Sequence, residues 1–100
     1  MANTIASKAE GQLPVTKTTA FTATYKCVVK GTFFNTHATV AEQVVVYANF
    51  SGTSRKLADV SVDPGGKLVV RAELEVGDYI EHSTTNASRV DFYYSAVEQQ

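Results

Sequence analysis

From Val60 to Glu98 the chain runs as short alternating segments, each closed by tight-turn chemistry, and that rhythm admits little but antiparallel β structure. Asp63-Pro64-Gly65-Gly66 reads as a turn, and Val76-Gly77-Asp78 as a corner leading into Tyr79-Ile80-Glu81-His82. Asn86-Ala87-Ser88 reads as a second turn. Beyond it Val90, Phe92, Tyr94 and Ala96 share one face of an extended run, while Asp91, Tyr93 and Ser95 share the other. No segment keeps a helical apolar period, so strands are expected throughout.

The first half repeats the pattern. Within Thr24–Asn35, Cys27, Val29, Gly31 and Phe33 fall on one face, and Lys26, Val28, Lys30 and Thr32 on the other. That is a half-buried strand with its lysines in solvent. Gln43–Phe50 sets Val44, Val46, Ala48 and Phe50 against Gln43, Val45, Tyr47 and Asn49. Apolar groups on both faces suit a central strand, or one whose outer face a partner covers. Thr18–Ala23 and Leu57–Val62 are further strands, the latter with Ala58, Val60 and Val62 on one face. Lys67–Ala72 is another, with a break expected over Glu73–Val76. Thr36–Glu42 is a connection too short for a helix. Roughly seven to nine strands with regular turn spacing predict an all-β, antiparallel β-sandwich of jelly-roll type. Met1–Pro14 shows no period. Residues 1–14 are expected to be an extended N-terminal arm, with room for a short strand at Gln12–Thr16, and residues 15–100 the sandwich. Deleting Met1–Gly11 is expected to leave that sandwich folded.

Composition narrows the function classes. A chain of 100 residues is one domain with a thin core. Its net charge is −1 and its basic residues are scattered singly, so nucleic acid is not an expected partner. No apolar run reaches membrane-spanning length, and no membrane partner is expected. The start of the chain lacks the basic and apolar regions of a secretory signal. Asn49-Phe50-Ser51 and Asn86-Ala87-Ser88 therefore read as chance matches to the glycosylation motif. The single cysteine, Cys27, excludes an internal disulfide.

No catalytic, metal or cofactor site emerges. Cys27 reads as a small apolar residue on a buried face. The only imidazoles are His37, in a polar connection, and His82, and no nucleophile elbow accompanies them. The acidic residues stand singly, and Asp63 and Asp78 are turn residues whose carboxylates bond nearby amides. Gly65-Gly66 precedes no helix, so it is a chain reversal and not a phosphate loop. Adjacent Tyr93 and Tyr94 point to opposite faces, which makes Tyr93 the candidate for the exposed, interface-forming ring. Tyr79 with Tyr93 is the alternative, an aromatic platform for a glycan.

The order of these motifs resembles a group of small β-sandwich, jelly-roll virion proteins of tailed bacteriophages, the head decoration or cement proteins. The similarity spans Tyr25–Glu98. It runs from the Val-rich strand ending in Phe34-Asn35-Thr36, through Val44–Tyr47, Asp63-Pro64-Gly65-Gly66 and Val76-Gly77-Asp78-Tyr79-Ile80-Glu81, to Asn86-Ala87-Ser88 and Val90–Glu98. The resemblance implies a non-enzymatic capsid decoration protein that binds and stabilises the outer surface of the major capsid protein shell. Its expected partners are the major capsid protein and copies of itself, as a dimer or trimer. Its expected place is the virion surface, after synthesis in the host cytoplasm. Ala2, Asn3, Thr4 and Ile5 of the arm, and Tyr93, are the expected interface residues. A phage tail or neck accessory, or a carbohydrate-binding β-sandwich module, are the alternatives.

Overall fold

The computed structural model describes residues 6–85 and 89–98. Among them eight strands form: β1 Ala6–Gln12, β2 Thr18–Thr22, β3 Cys27–Asn35, β4 Glu42–Phe50, β5 Thr53–Val62, β6 Lys67–Leu74, β7 Tyr79–Thr84 and β8 Val90–Glu98. They make two four-stranded antiparallel sheets, in the orders β1-β8-β3-β6 and β2-β7-β4-β5. We call these sheets A and B. Apart from the β4–β5 hairpin, every connection crosses from one sheet to the other. The first and last described strands become neighbours, and the result is a jelly roll.

Alternation in the sequence becomes burial in the sandwich. In β3, Cys27, Val29, Gly31, Phe33 and Asn35 are buried and the intervening residues are not. Val44, Val46 and Ala48 of β4 meet them from sheet B, with Val90, Tyr94 and Ala96 of β8 beside them. Each fully buried valine, leucine, isoleucine or phenylalanine contributes about 1.5–3 kcal/mol relative to an exposed one. Packing is tight at Gly31. A Cβ there would stand 2.6 Å from Tyr94 Cε1, so the Tyr94 ring occupies the space a side chain would need.

Crossings between sheets are tied by buried polar groups. Leu13 is buried, its N–H donates to the Val90 carbonyl, and the Thr84 N–H donates to the Pro14 carbonyl. Buried Asn35 gathers three segments. Its Nδ2 donates to the carbonyls of Val40 and Val62, both at 2.9 Å, and its Oδ1 accepts from the His37 N–H. Its backbone bonds Gly65 and Gly66, which fastens the Asp63–Gly66 turn. Asp78 does the same at the other corner. Its carboxylate accepts from the amides of Ser51 and Glu75, each at 3.0 Å, next to Gly77 at φ 94°.

Several boundaries differ from the sequence expectation. Residues 6–12, inside the segment expected as an arm, pair with β8 from Ala6↔Val97 to Gln12↔Asp91. Removing the chain through Gly11 would therefore strip an edge strand from sheet A and uncover Phe92, so the expected tolerance of that deletion is withdrawn. Of Gln12–Thr16 only Gln12 is in a strand. β3 begins at Cys27, not Thr24. β5 begins at Thr53, not Leu57, because a register shift opposite Val46/Tyr47 absorbs Leu57 as a bulge. β6 continues through Glu73 to Leu74, which is fully buried, so the break falls after Leu74. Val60 shares its level with Val44 yet is exposed, because the sandwich is open between edge strands β5 and β6. Asn86–Ser88 lies outside the described residues.

Candidate interaction surface

The interior of the sandwich is shielded from solvent. His82 from β7 and Tyr94 from β8 meet across the gap between sheets, Nδ1 to hydroxyl 2.8 Å. Phe33 and Phe92 pack edge-on around them, with the Phe92 ring centre 4.4 Å from that of His82. Burial drives the His82 pKa down to about 4 and holds the Tyr94 phenol well above its ordinary range. Both are therefore neutral near pH 7 and serve as a satisfied core pair. Cys27 is fully buried in β3, and burial pushes its thiol up, away from the reactive thiolate. Among the described residues no three His, Cys, Asp or Glu side chains gather as a metal site. An open depression of about 310 Å³ lies along Glu10, Gly11, Gln12, Asp91 and Phe92, and neither a nucleophile nor an imidazole lines it.

The outer face of sheet A is laid out by register. Across β1, β8, β3 and β6, one level reads Gln12, Asp91, Phe34, Lys67 and the next Glu10, Tyr93, Thr32, Val69. Beyond them the positions of Lys8, Ser95, Lys30 and Arg71 share a level, then those of Ala6, Val97, Val28 and Glu73. Phe34 is 43% exposed, Val97 45%, and Tyr93 and Val69 37% each. Phe34, Tyr93 and Val69 lie on adjacent levels, Val97 lies beyond the polar level of Ser95, Lys30 and Arg71, and an ion pair of Lys26 with Glu75 at 3.6 Å closes the end of the face.

The outer face of sheet B is occupied by its own side chains. Lys17 lies 4.0 Å over the Tyr47 ring and 3.7 Å from Glu81. Lys56 stands on the other side of Tyr47 at 5.8 Å and pairs with Asp59 at 3.0 Å. Gln43 bonds the same Asp59 carboxylate, which is held below the usual carboxylate range by Lys56 and Gln43. The edges differ in the same sense. Both edges of sheet B carry a register shift, in β2 between Thr19 and Phe21 and opposite Leu57 in β5. Such bulges discourage strand addition. The β1 and β6 pairings of sheet A are regular.

Of the residues expected at an interface, Ala2, Asn3, Thr4 and Ile5 lie outside the described residues. Tyr93 is on the outer face of sheet A. Tyr79 is on β7 in sheet B, so Tyr79 and Tyr93 look out from opposite sides of the sandwich. They make no common platform for a glycan, and that arrangement is corrected. Phe34, Val69 and Val97 were not singled out in the sequence. Phe34 has the parity of Lys30 and Thr32, which was the available signal.

No known protein family and no curated protein matches the sequence. Solved structures do match in fold. A subunit from Bacillus endospore appendages, a family of disulfide-linked pili, aligns at TM-score 0.61 and 13% identity, over 97% of this chain and 88% of that one. The nucleoplasmin-like N-terminal domain of Drosophila FKBP39 aligns at TM-score 0.60 and 12% identity, over 97% and 90% of the two chains. A pentameric capsid protein from metagenomic phage sequences aligns at TM-score 0.53 and 17% identity, over 91% of this chain and 60% of that one. At these identities the shared property is the jelly-roll fold.

Proposed function

We propose that this chain is a non-enzymatic structural virion protein, a decoration or cement protein that binds the outer surface of a tailed phage's major capsid protein shell and stabilises it. The observation that carries this reading is the contrast between a closed core, whose His82 and Tyr94 are tied to each other, and an outer sheet face that exposes Phe34, Val69, Tyr93 and Val97. The phage capsid protein of like fold supports it, as does the order of motifs in the sequence. Many copies on a symmetric lattice make weak individual contacts collectively strong. In this reading Ala2, Asn3, Thr4 and Ile5, which precede β1, contact the shell or a neighbouring copy. Electron cryo-microscopy and mass spectrometry of purified particles test it. Density at high copy number on the capsid lattice is expected. Density only at a portal or tail vertex makes the protein a tail or neck accessory, and absence from particles ends the virion reading.

One observation favours a second reading, a filament subunit. The alignment with the pilus subunit covers nearly the whole of both chains. Cross-linking by disulfides is not open to this fold, because the single cysteine is fully buried. Filaments of this chain would hold by non-covalent contacts, and negative-stain microscopy of the purified protein would show them.

A further inference from the structure

We infer that the free edge of β6 is a self-pairing edge, to which β6 of a second copy of this chain adds antiparallel about a two-fold axis at Val70, joining sheet A of both copies into one continuous sheet. The inference deepens the self-association in the proposed function and rests on that reading for its place in the particle. It is stated for the purified chain with no shell present.

The first argument is the backbone. β6 is an edge strand of sheet A and pairs with β3 alone, without a register shift. The Asn35 N–H donates to the Gly66 carbonyl at 3.0 Å, one step beyond the Phe34↔Lys67 pair. Hydrogen-bonded positions alternate along an antiparallel pair, so Leu68, Val70, Ala72 and Leu74 turn their amides and carbonyls toward β3. The Thr36 N–H, donating to the Arg89 carbonyl, gives β3 the complementary phase toward β8. Lys67, Val69, Arg71 and Glu73 therefore point their backbone groups out of the sheet. With the axis at Val70 they meet as Lys67 with Glu73 and Val69 with Arg71. Each pair occurs twice by symmetry, in a ladder of about eight bonds.

The second argument is the side chains. Lys67 and Glu73 are exposed on the outer face and have no ion-pair partner among the described residues. Set opposite one another, they make two cross-strand ion pairs per dimer. The two Arg71 stand on a diagonal about 7–8 Å apart, where solvent screens them. Moving the axis to Val69 sets Lys67 against Arg71, and moving it to Arg71 sets that residue against itself. Moving it to Ala72 pairs Arg71 with Glu73 but overlaps only residues 70–74. Charge and overlap together select Val70. On the inner face Val70 then meets Val70, and Leu68 meets Ala72. These three point between the sheets yet are only half-buried, because the sandwich is open between β5 and β6, and the pairing covers them. Inward-pointing charges, which would block such an edge, are absent from β6. The other free edge of sheet A, β1, has Ala9 and Gly11 at inward positions and little apolar surface to cover.

Sedimentation velocity of the full chain across a concentration series tests the inference, with circular dichroism confirming that each variant folds. One shared strand buries less than a standard interface, so the wild type is expected to dimerise reversibly at roughly 10–100 μM. Lys67→Glu and Glu73→Lys are each expected to raise the dissociation constant about tenfold, since each places two like-charged pairs across the axis. Mixed together, these two variants pair with each other at wild-type strength, because each supplies the charge the other now needs. Oxidative cross-linking checks the register. Val70 faces its own copy in a non-hydrogen-bonded pair about 4.5 Å apart at Cα, within disulfide reach, so Val70→Cys is expected to give a covalent dimer. Val69→Cys, more exposed but set on the diagonal, is expected to cross-link at least about tenfold more slowly. Cys27, fully buried, stays silent. A wild type that is monomeric up to about 1 mM overturns the inference. So does a dimer indifferent to the charge substitutions, a mixture that does not pair, or faster cross-linking at position 69 than at 70. A protein found on the capsid lattice that is monomeric in solution removes the edge pairing and leaves the cement reading standing. A dimer that behaves as stated but is absent from particles supports the edge pairing and sinks the virion role.

Discussion

The outer faces of the two sheets are built from the same fold and the same kinds of residue, yet they are finished differently. Sheet B covers its central ring, Tyr47, with Lys17 and Lys56, and pairs those cations with Glu81 and Asp59. Sheet A leaves Tyr93, Phe34, Val69 and Val97 exposed, and its Lys26–Glu75 ion pair, at 3.6 Å, lies at the end of the face and covers none of them. The edges follow suit, bulged in sheet B and regular in sheet A. A face that satisfies its own charges and shields its own aromatic gains little by meeting another molecule. A face that leaves its apolar side chains open gains more from burying them. The lesson is that tyrosine at a surface does not mark an interface, and the neighbours of the ring decide.

The comparison breaks first if the shared interior is not a rigid platform, and the largest expected effect tests that with acid. The His82 pKa in the fold is about 4, below its ordinary value of 6.5. The unfolded chain therefore binds the extra proton between these values, and the fold does not. Stability from neutral His82 is complete above about pH 6.5 and is lost as the pH falls toward 4, by about 3 kcal/mol. Urea unfolding at stepped pH should show this slope. His82→Gln should flatten it, and an unchanged slope would assign acid sensitivity to the carboxylates.

Gly31→Ala is the next largest. The new methyl group enters the space of the buried Tyr94 ring, and a loss of about 2 kcal/mol is expected from overpacking. Denaturant midpoints measure it. A neutral result would mean the layer beneath the face of sheet A yields easily.

The smallest effects discriminate most sharply between the faces. Tyr47→Ser should cost the monomer about 1 kcal/mol, because it removes a ring that Lys17 covers. Tyr93→Ser should change monomer stability by less than about 0.5 kcal/mol, as expected of a surface ring without such a partner. Thermal unfolding at dilutions where the protein is monomeric compares the two. Equal losses would erase the distinction.

Much of this architecture was legible in the chain. The alternation in Cys27–Phe33 and Val90–Ala96 gave both faces of β3 and β8, because successive side chains in a strand must point to opposite sides. The turns at Asp63–Gly66 and Gly77-Asp78 followed from residues that tolerate positive φ or bond nearby amides, and Asp78 does accept the Glu75 amide. The bulge at Leu57, the continuation of β6 to Leu74 and the pairing of β1 with β8 were not legible. Each depends on a partner strand distant in sequence, and alternation within a segment says nothing of its neighbour. Of the candidate surface, the sequence pointed to Tyr93 on parity alone. It also joined Tyr93 with Tyr79, because parity cannot tell which sheet a strand enters.

By itself, then, the sequence determined that this protein is an antiparallel β sandwich with turns at set places, since period and turn chemistry are local properties. The tertiary structure decided the jelly-roll order and the His82–Tyr94 contact across the sheets. It also decided which tyrosine is covered by lysine and which is left open. Those outcomes depend on register between strands far apart in the chain, which is settled only when two sheets close over one core.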